Sequence, residues 1–302
     1  MEKPYISVVM VSYFHEKYIE KAIESVLSQT LSDKIEILIG DDGSKDSTVE
    51  ILKRYESKYP FIHIYAHENQ GLSANVYDLF MQAKGEYIAV LEGDDYWIDN
   101  QKLEKQIKII NENPCVGTAC NSLKVDNDGN ELGLWNEKIR SKVLTKWEVQ
   151  YYQTALCHPS GVMFKNIFLG SDGKFDVIKR ASRMGGNHTG LINLLANNGG
   201  IYLDSNPMTV WRVLVDPKGK NYSAQKVDKF INYYEAMHKY MDYNDAFSIS
   251  YDYHIFNQYR MCQKKLKKEL ISSIGRMGIL RAECDRCKAK IYSLFNKFKS
   301  NK

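Results

Sequence analysis

The run Ile6-Ser-Val-Val-Met-Val11 is short, rich in β-branched residues and predominantly apolar. Such a run is typical of a strand that is buried on both faces of a parallel sheet. An apolar stripe with a four-residue repeat follows at residues 18–27, and a second strand-like run, Ile35-Glu-Ile-Leu-Ile39, comes next. This succession predicts a strand, a helix and a second strand.

The alternation continues as far as Leu91. Further strands are predicted at 61–66 and 87–91. Ser47 and Glu50 have the spacing of a capping box, and Ser73 is placed to cap the next helix. The resulting β-α-β-α-β-α-β order requires crossover connections, and it favours a mostly parallel sheet with helices on both faces. We therefore predict an α/β fold.

The chain has 302 residues, of which 44% are hydrophobic and 26% charged, as in an ordered globular protein. Residues 260–302 carry 13 Lys and Arg against 3 Asp and Glu, although the net charge of the whole chain is only +4. We predict a main domain at 1–222 and a helical, basic C-terminal extension at 223–302. The mildly acidic main domain argues against nucleic acid as a partner.

The basic extension also contains regularly spaced apolar residues. This combination suits an anionic membrane surface, and it equally suits a protein contact such as a homo-oligomer. No apolar run approaches the ~18 residues that span a bilayer. We expect a cytoplasmic protein that can lie peripherally at the inner membrane face.

Polar residues follow three of the predicted strands. They are Ser12-Tyr13, Asp41-Asp42 and Glu92-Gly93-Asp94-Asp95. In open sheets of this class, ligands bind at the carboxyl ends of the strands, so these residues should share one rim. Asp41-Asp42 alone would also fit a turn that opens a helix.

The sequence Glu92-Gly93-Asp94-Asp95 places three carboxylates within four residues. Their mutual repulsion is relieved when a cation or hydrogen-bond donors lie between them. Carboxylate oxygens suit Mg²⁺ or Mn²⁺, whose remaining ligands can be phosphate and water. A solvated turn that binds nothing remains the alternative.

Four segments in order resemble the signatures of family 2 glycosyltransferases. They are Ser7-Val-Val-Met-Val-Ser-Tyr13, Glu36-Ile-Leu-Ile-Gly-Asp-Asp-Gly-Ser44, Asn69-Gln-Gly-Leu-Ser73 and Gly85-Glu-Tyr-Ile-Ala-Val-Leu-Glu-Gly-Asp-Asp-Tyr-Trp97. The resemblance is dense over 5–125, thinner over 155–215 and absent in the tail.

The resemblance implies a GT-A fold and inverting transfer of a sugar from a nucleotide diphosphate donor. It implies a saccharide or lipid-linked acceptor in surface polysaccharide synthesis. By position, the nucleoside would contact Ser12, Tyr13 and Asp41 or Asp42. The ribose and a bound Mn²⁺ or Mg²⁺ would contact Glu92, Asp94 and Asp95, with Asp94 in the position of the usual metal ligand.

The expected acceptor base is altered. Where the family usually has Asp, an ungapped alignment places His188 and a one-residue gap places Asn187. An imidazole suits general-base chemistry near neutral pH. A structural histidine, or a helix cap at Asn187, is the alternative.

Arg212 resembles a family arginine that approaches the donor phosphates, although Val213 and Leu214 follow where a histidine is often found. A surface arginine is the alternative. His158-Pro-Ser-Gly161 either borders the acceptor cleft or forms only a turn before a strand. Trp97 either stacks on a sugar or belongs to the core.

Two other functions compete with transfer. A non-catalytic, nucleotide-sugar-binding relative that scaffolds a partner enzyme would explain the missing base Asp. A sugar-nucleotide nucleotidyltransferase needs a glycine-rich phosphate loop after the first strand, and residues 12–16 contain no glycine. The second alternative is therefore disfavoured.

Overall fold

The computed structural model describes residues 3–144, 148–149, 157–170, 191–192, 195–196 and 198–213. The predicted boundary between residues 222 and 223, and the basic extension beyond it, lie outside these residues. No helix formed by the described residues is both long and apolar enough to cross a membrane.

The first part of the chain has the predicted alternation. Its elements are β1 (Ile6–Ser12), α1 (Ile19–Leu27), β2 (Ile35–Asp41), α2 (Thr48–Lys58), β3 (Ile62–Ala66), α3 (Leu72–Gln82) and β4 (Tyr87–Glu92). Strands β3, β2, β1 and β4 are neighbours in that order, and all three pairs are parallel. The α/β prediction is confirmed.

The second part is built differently. Its elements are β5 (Tyr96–Trp97), α4 (Lys102–Glu112), β6 (Gly117–Val125), β7 (Glu131–Leu134), β8 (Lys142–Leu144), a 3₁₀ turn (Pro159–Gly161), β9 (Val162–Lys165) and β10 (Ile201–Arg212). Strand β9 lies between β4 and β6 and is antiparallel to both, whereas β10 runs parallel to β6. The sheet is therefore mixed beyond β4.

Both faces of the sheet are covered. On β1, Val9 packs on one face in a cluster with Phe80 of α3, and Val8 packs on the other face in a cluster with Ile23 of α1 and Leu103 of α4. Every residue of β1 is buried, as the apolar run predicted. Burial on both faces leaves the ends of the strands as the places where polar side chains can meet a ligand.

The predicted capping box of α2 does not form. Ser47 is the N-cap residue, but its side chain makes no capping hydrogen bond. Instead, the Asp46 carboxylate accepts a hydrogen bond from the Thr48 N–H at 3.1 Å. A neighbouring acidic residue has taken the role that the spacing assigned to Ser47 and Glu50.

Candidate active site

The predicted rim exists at the carboxyl ends of β1, β2 and β4. In the strand register, Ser12 lies beside Asp41, and Val11 lies beside Glu92. Parallel pairing brings the last residues of these strands together, although they are far apart in sequence. The predicted donor-binding residues Ser12, Asp41 and Glu92 therefore share one edge of the sheet.

Asp41 is fully buried and hydrogen-bonded within this edge. Its carboxylate accepts hydrogen bonds from Ser12 Oγ at 2.8 Å, from Ser44 Oγ at 2.6 Å and from the Ser44 N–H at 2.8 Å. Ser44 Oγ also accepts a hydrogen bond from the Phe14 N–H at 2.8 Å. Asp41 thus ties the loop after β1 to the loop after β2.

Asp42, which follows β2, is also buried, and its carboxylate contacts the backbone at the start of α3. Its carboxylate accepts hydrogen bonds from the Gln70 N–H at 2.8 Å and from the Gly71 N–H at 3.1 Å. A negative charge in this position satisfies free amides and complements the helix dipole. The prediction that Ser73 caps this helix is wrong, because Gly71 is the N-cap residue and Ser73 lies within the helix.

Tyr13 and Phe14 present aromatic rings to solvent at the same edge. Their side chains are 48% and 46% exposed, and the two rings meet edge to face at 4.6 Å. Phe14 has a φ of 59°, a conformation that bulky residues rarely adopt. The hydrogen bond to Ser44 holds this unusual backbone in place.

Asp95 is the most deeply buried acid of the loop after β4. Oδ1 accepts a hydrogen bond from the Arg212 N–H at 2.9 Å, and Oδ2 accepts one from Ser160 Oγ. His158 Nδ1 lies 3.1 Å from Asp95 Oδ2. Asp95 therefore faces into the protein and links the ends of β4 and β10 to the 3₁₀ turn.

Glu92 and Asp94 are less buried, with side chains 26% and 18% exposed. Glu92 Oε2 lies 3.5 Å from His158 Nε2, and Asp94 Oδ2 lies 3.8 Å from His15 Nε2. Burial raises the pKa of Glu92 to about 8, and the charges of Asp94 and Asp95 add to this rise while His158 opposes it. Burial also raises the pKa of Asp94, against the opposing effect of His15.

His158 lies between the two carboxylates of Glu92 and Asp95. Its ring stacks on Trp211 at 5.3 Å. Burial alone would lower the pKa of His158, but the carboxylates of Asp95, Glu92 and Asp94 outweigh burial, and the pKa is raised. The predicted turn before a strand is confirmed by the 3₁₀ turn and β9. Its histidine also lies beside Glu92 and Asp95, whereas the sequence analysis considered this segment only as a border of the acceptor cleft or as a turn.

Glu92, Asp95 and His158 could hold a metal ion, because each offers one ligand atom and these atoms all lie within 4.8 Å of one another. His158 Nδ1 and His15 Nδ1 are buried, and neither has a hydrogen bond of good geometry within the described part of the chain. Carboxylate oxygens with one imidazole nitrogen suit Mn²⁺, and a nitrogen ligand suits Mg²⁺ less well. The residues therefore fit a divalent cation.

Arg212 is buried and bonded to backbone, so the alternative of a surface arginine is wrong. Its Nε donates to the Asp94 carbonyl at 3.1 Å, and its Nη1 donates to the Asp126 carbonyl at 3.2 Å. The guanidinium lies 4.6 Å from the centre of the Tyr18 ring. Arg212 thus fixes the backbone of the acidic loop.

Two further sequence predictions have different outcomes. Trp97 is buried, and its indole N–H donates to the Ser160 carbonyl at 3.0 Å, which confirms the core alternative. His188 and Asn187, the two candidates for the acceptor base, lie outside the described residues.

A family model described as Glycosyl transferase family 2 matches residues 7–169. The chain belongs to glycosyl transferase family 2. The prediction from the sequence that the protein is a glycosyltransferase is therefore confirmed. The four resembling segments that led to the prediction all begin and end within the matched region.

Curated relatives resemble the chain over part of their length. An uncharacterised protein of Mycobacterium tuberculosis is 40% identical over 111 residues, which cover 36% of this chain and 32% of that protein. TuaG of Bacillus subtilis, named a putative teichuronic acid biosynthesis glycosyltransferase, is 37% identical over 131 residues, covering 43% of this chain and 51% of TuaG. The matched stretch thus leaves much of each relative unmatched.

Solved structures share the fold. Staphylococcus aureus TarS 1–349, in complex with UDP-GlcNAc, has a TM-score of 0.61 and 18% identity, covering 82% of this chain and 69% of TarS. The mannosyltransferase PcManGT of Pyrobaculum calidifontis, in complex with GDP-Man and Mn²⁺, has a TM-score of 0.54 and 14% identity, covering 99% of this chain and 84% of PcManGT. At these identities the likeness shows the fold alone, and it confirms the predicted GT-A type.

Proposed function

We propose that this protein is an inverting glycosyltransferase that moves a sugar from a nucleotide diphosphate donor to a saccharide or lipid-linked acceptor. The crowding of Glu92, Asp94 and Asp95 around His158, at the edge where β1 and β2 also end, carries this proposal. Such a group of partly buried acids is stabilised by a cation, and a diphosphate would share that cation. TuaG, named for teichuronic acid biosynthesis, supports a role in surface polysaccharide synthesis.

The proposed cation is Mn²⁺ or Mg²⁺, held by Glu92 and His158 of the group described above. Asp94 is proposed as the third ligand in place of Asp95, because both carboxylate oxygens of Asp95 already accept hydrogen bonds from the protein. When bound, it would stabilise the negative charge on the departing diphosphate without a proton donor. Asp95 would orient His158, as second carboxylates commonly orient a ligating imidazole. Mn²⁺ in the complex of the mannosyltransferase PcManGT supports this choice of cation.

The nucleoside would lie beside Tyr13, whose ring is exposed at the end of β1. Ser12 and Asp41 are hydrogen-bonded to each other, so their contribution is to shape this edge. Asp42 would contribute in the same way, by fixing the start of α3. The Arg212 guanidinium would act through the acidic loop that it holds, close to the donor phosphates.

His188 is proposed as the base that deprotonates the acceptor hydroxyl, and Asn187 is the alternative position. If His188 is the base, His188→Ala should lower turnover by roughly 10² to 10⁴ while donor affinity is retained. A harmless His188→Ala together with a crippling Asn187→Ala would exclude His188. Because an asparagine amide cannot accept the proton itself, the base would then be a residue elsewhere in the chain.

The basic C-terminal extension is proposed to bring the protein to anionic membrane surfaces, where a lipid-linked acceptor would lie. Each Lys or Arg near such a surface contributes about 1 kcal/mol of attraction. Vesicles with anionic lipid should therefore sediment the full chain less strongly as salt rises. Equal sedimentation after truncation at residue 260 would favour an oligomer contact instead.

The experiment that tests the proposed function is a screen of nucleotide diphosphate sugars by thermal shift, with Mn²⁺ and with chelator. A ligand at 100 times its Kd adds about 2.7 kcal/mol of stability. Asp94→Asn serves as the variant with a damaged site. Metal-dependent stabilisation followed by donor hydrolysis or transfer supports the enzyme. Stabilisation without either reaction supports the non-catalytic relative, and the absence of any stabilisation contradicts both.

A further inference from the structure

Lys102, the first residue of α4, is completely buried. Its Nζ donates to Gln106 Oε1 at 2.6 Å and lies 4.2 Å from the centre of the Trp97 ring. Among the described residues, the ion pairs do not include Lys102. A buried ammonium without a carboxylate partner is expensive to desolvate, so its presence in the core needs a reason.

The ammonium determines how Gln106 is oriented. An ammonium group can only donate, so it must face the amide oxygen of Gln106 and not the amide nitrogen. The Gln106 amide nitrogen therefore faces away from Lys102, and it donates to the Gly161 carbonyl at 2.8 Å. Trp97, the other residue that the ammonium touches, donates to the Ser160 carbonyl at 3.0 Å.

The two carbonyls belong to consecutive residues of the 3₁₀ turn at Pro159–Gly161. Within this turn, Ser160 Oγ donates to Asp95 Oδ2 and accepts a hydrogen bond from the Glu92 N–H at 3.1 Å. His158 immediately precedes the turn. The hydrogen bonds of Gln106 and Trp97 thus reach the backbone of the turn, which is linked through Ser160 to the Asp95 carboxylate and is continuous in the chain with His158.

We propose that Lys102, Gln106 and Trp97 are positioning residues that hold the 3₁₀ turn, and through it Ser160 and His158, in the geometry that binds the metal. We name these three residues the buried support. The inference rests on the proposed metal-dependent function, but it concerns residues that touch neither the metal nor the donor. The expense of burying an ammonium is then explained by the orientation that it imposes on Gln106.

Gln106→Glu is the test variant. A glutamate keeps the shape and gives Lys102 a carboxylate partner. This ion pair offsets the hydrogen bond that is lost at the Gly161 carbonyl, so the melting temperature should stay close to that of the wild type. The glutamate cannot donate to the Gly161 carbonyl. The turn should therefore lose one of the two hydrogen bonds that its backbone accepts from Gln106 and Trp97. We expect Mn²⁺ affinity, measured by calorimetry with the metal alone, to fall about 10-fold, as is usual for residues that orient metal ligands.

Gln29→Glu is the matched control. Gln29 is also a buried glutamine, and its amide nitrogen donates to the Asp99 carbonyl at 2.8 Å, away from the turn. This variant should leave Mn²⁺ affinity unchanged, whatever it does to stability. Equal affinity for the wild type and Gln106→Glu, or equal losses in both variants, would overturn the inference.

Two further measurements test the inference if Gln106→Glu does not fold or if the wild type does not bind Mn²⁺. If Gln106→Glu does not fold, Trp97→Phe removes the indole donor but keeps an aromatic ring for the ammonium, and it should weaken Mn²⁺ binding similarly. If the wild type binds no Mn²⁺, the proposed metal site itself fails. Nitrogen NMR of His158 without metal then decides the inference, because Gln106→Glu must shift the imidazole resonances, and unshifted resonances would refute a positioning role.

Discussion

The loop after β2 and the loop after β4 both end a buried parallel strand with adjacent acidic residues, but they treat the charges differently. Asp41 and Asp42 are surrounded by hydroxyl and backbone N–H donors of the protein. Glu92 and Asp94 lie beside other carboxylates, and burial raises the pKa of both.

This difference distinguishes acids that stabilise the fold, Asp41 and Asp42, from acids that are free to bind a cation, Glu92 and Asp94. A carboxylate that accepts hydrogen bonds from the protein fixes loops and a helix start, and it has less to offer a cation. Carboxylates that repel one another lower the stability of the metal-free protein, and a bound cation restores that stability. Two acidic pairs that look alike in the sequence can therefore have different roles.

The largest expected effect concerns the metal. Asp94→Asn should lower Mn²⁺-dependent affinity for a nucleoside diphosphate by about 100-fold or more, because it removes a charged ligand. The matched variant Asp42→Asn should lower that affinity far less in folded protein, because Asp42 fixes the start of α3 and is not a proposed metal ligand. Calorimetry with UDP and GDP, each with and without Mn²⁺, measures both. A reversed order of the two variants would break the comparison.

Stability should respond in the opposite order. Asp42→Ala leaves the Gln70 and Gly71 N–H groups without their acceptor, so we expect a loss of about 2 kcal/mol in the free energy of unfolding. Asp94→Ala should change it by less than about 0.5 kcal/mol in metal-free protein, or raise it. Urea unfolding in chelator measures both values, and an equal loss would argue that Asp94 is also structural.

The comparison also shows what could be predicted from sequence. Strands β1 to β4, and the meeting of Ser12, Asp41 and Glu92, follow from apolar runs and from the rule that parallel strands end at one edge. These signals are local, and the crossover topology converts them into proximity. The acidic loop was found for the same reason.

The rest of the site depends on contacts between distant parts of the chain. His158 reaches Glu92 because β9 inserts between β4 and β6, and no local pattern indicates that insertion. Arg212 reaches Asp94 by pairing of β10 in the second half of the sheet. The capping of α3 by Asp42 was missed for a similar reason, since the cap comes from 28 residues away in sequence.

Glycines in the two loops provide a finer test. Gly43, after Asp42, has a φ of +86°, so Gly43→Ala should cost about 1 kcal/mol of stability without changing Mn²⁺ affinity. A Cβ on Gly93, between Glu92 and Asp94, would lie 2.8 Å from His15 Nδ1 and 2.7 Å from Ile19 Cδ1. Gly93→Ala should therefore displace the loop and weaken Mn²⁺ binding about 10-fold. Unchanged binding would show that the loop tolerates displacement.

The smallest expected effect is on the pH dependence of stability, and it concerns the buried ammonium of Lys102 instead of a carboxylate. Burial lowers the pKa of Lys102 to about 8, from 10.5. Between these values the unfolded chain holds a proton that the folded protein has released, so the free energy of unfolding should rise with pH, by roughly 1 kcal/mol from pH 7 to 9. Other groups titrate in this range, so the measured quantity is the difference between the wild type and Lys102→Met. In that variant the Lys102 contribution is absent, and parallel stability curves would show that the ammonium is better solvated, or better paired, than its buried position indicates.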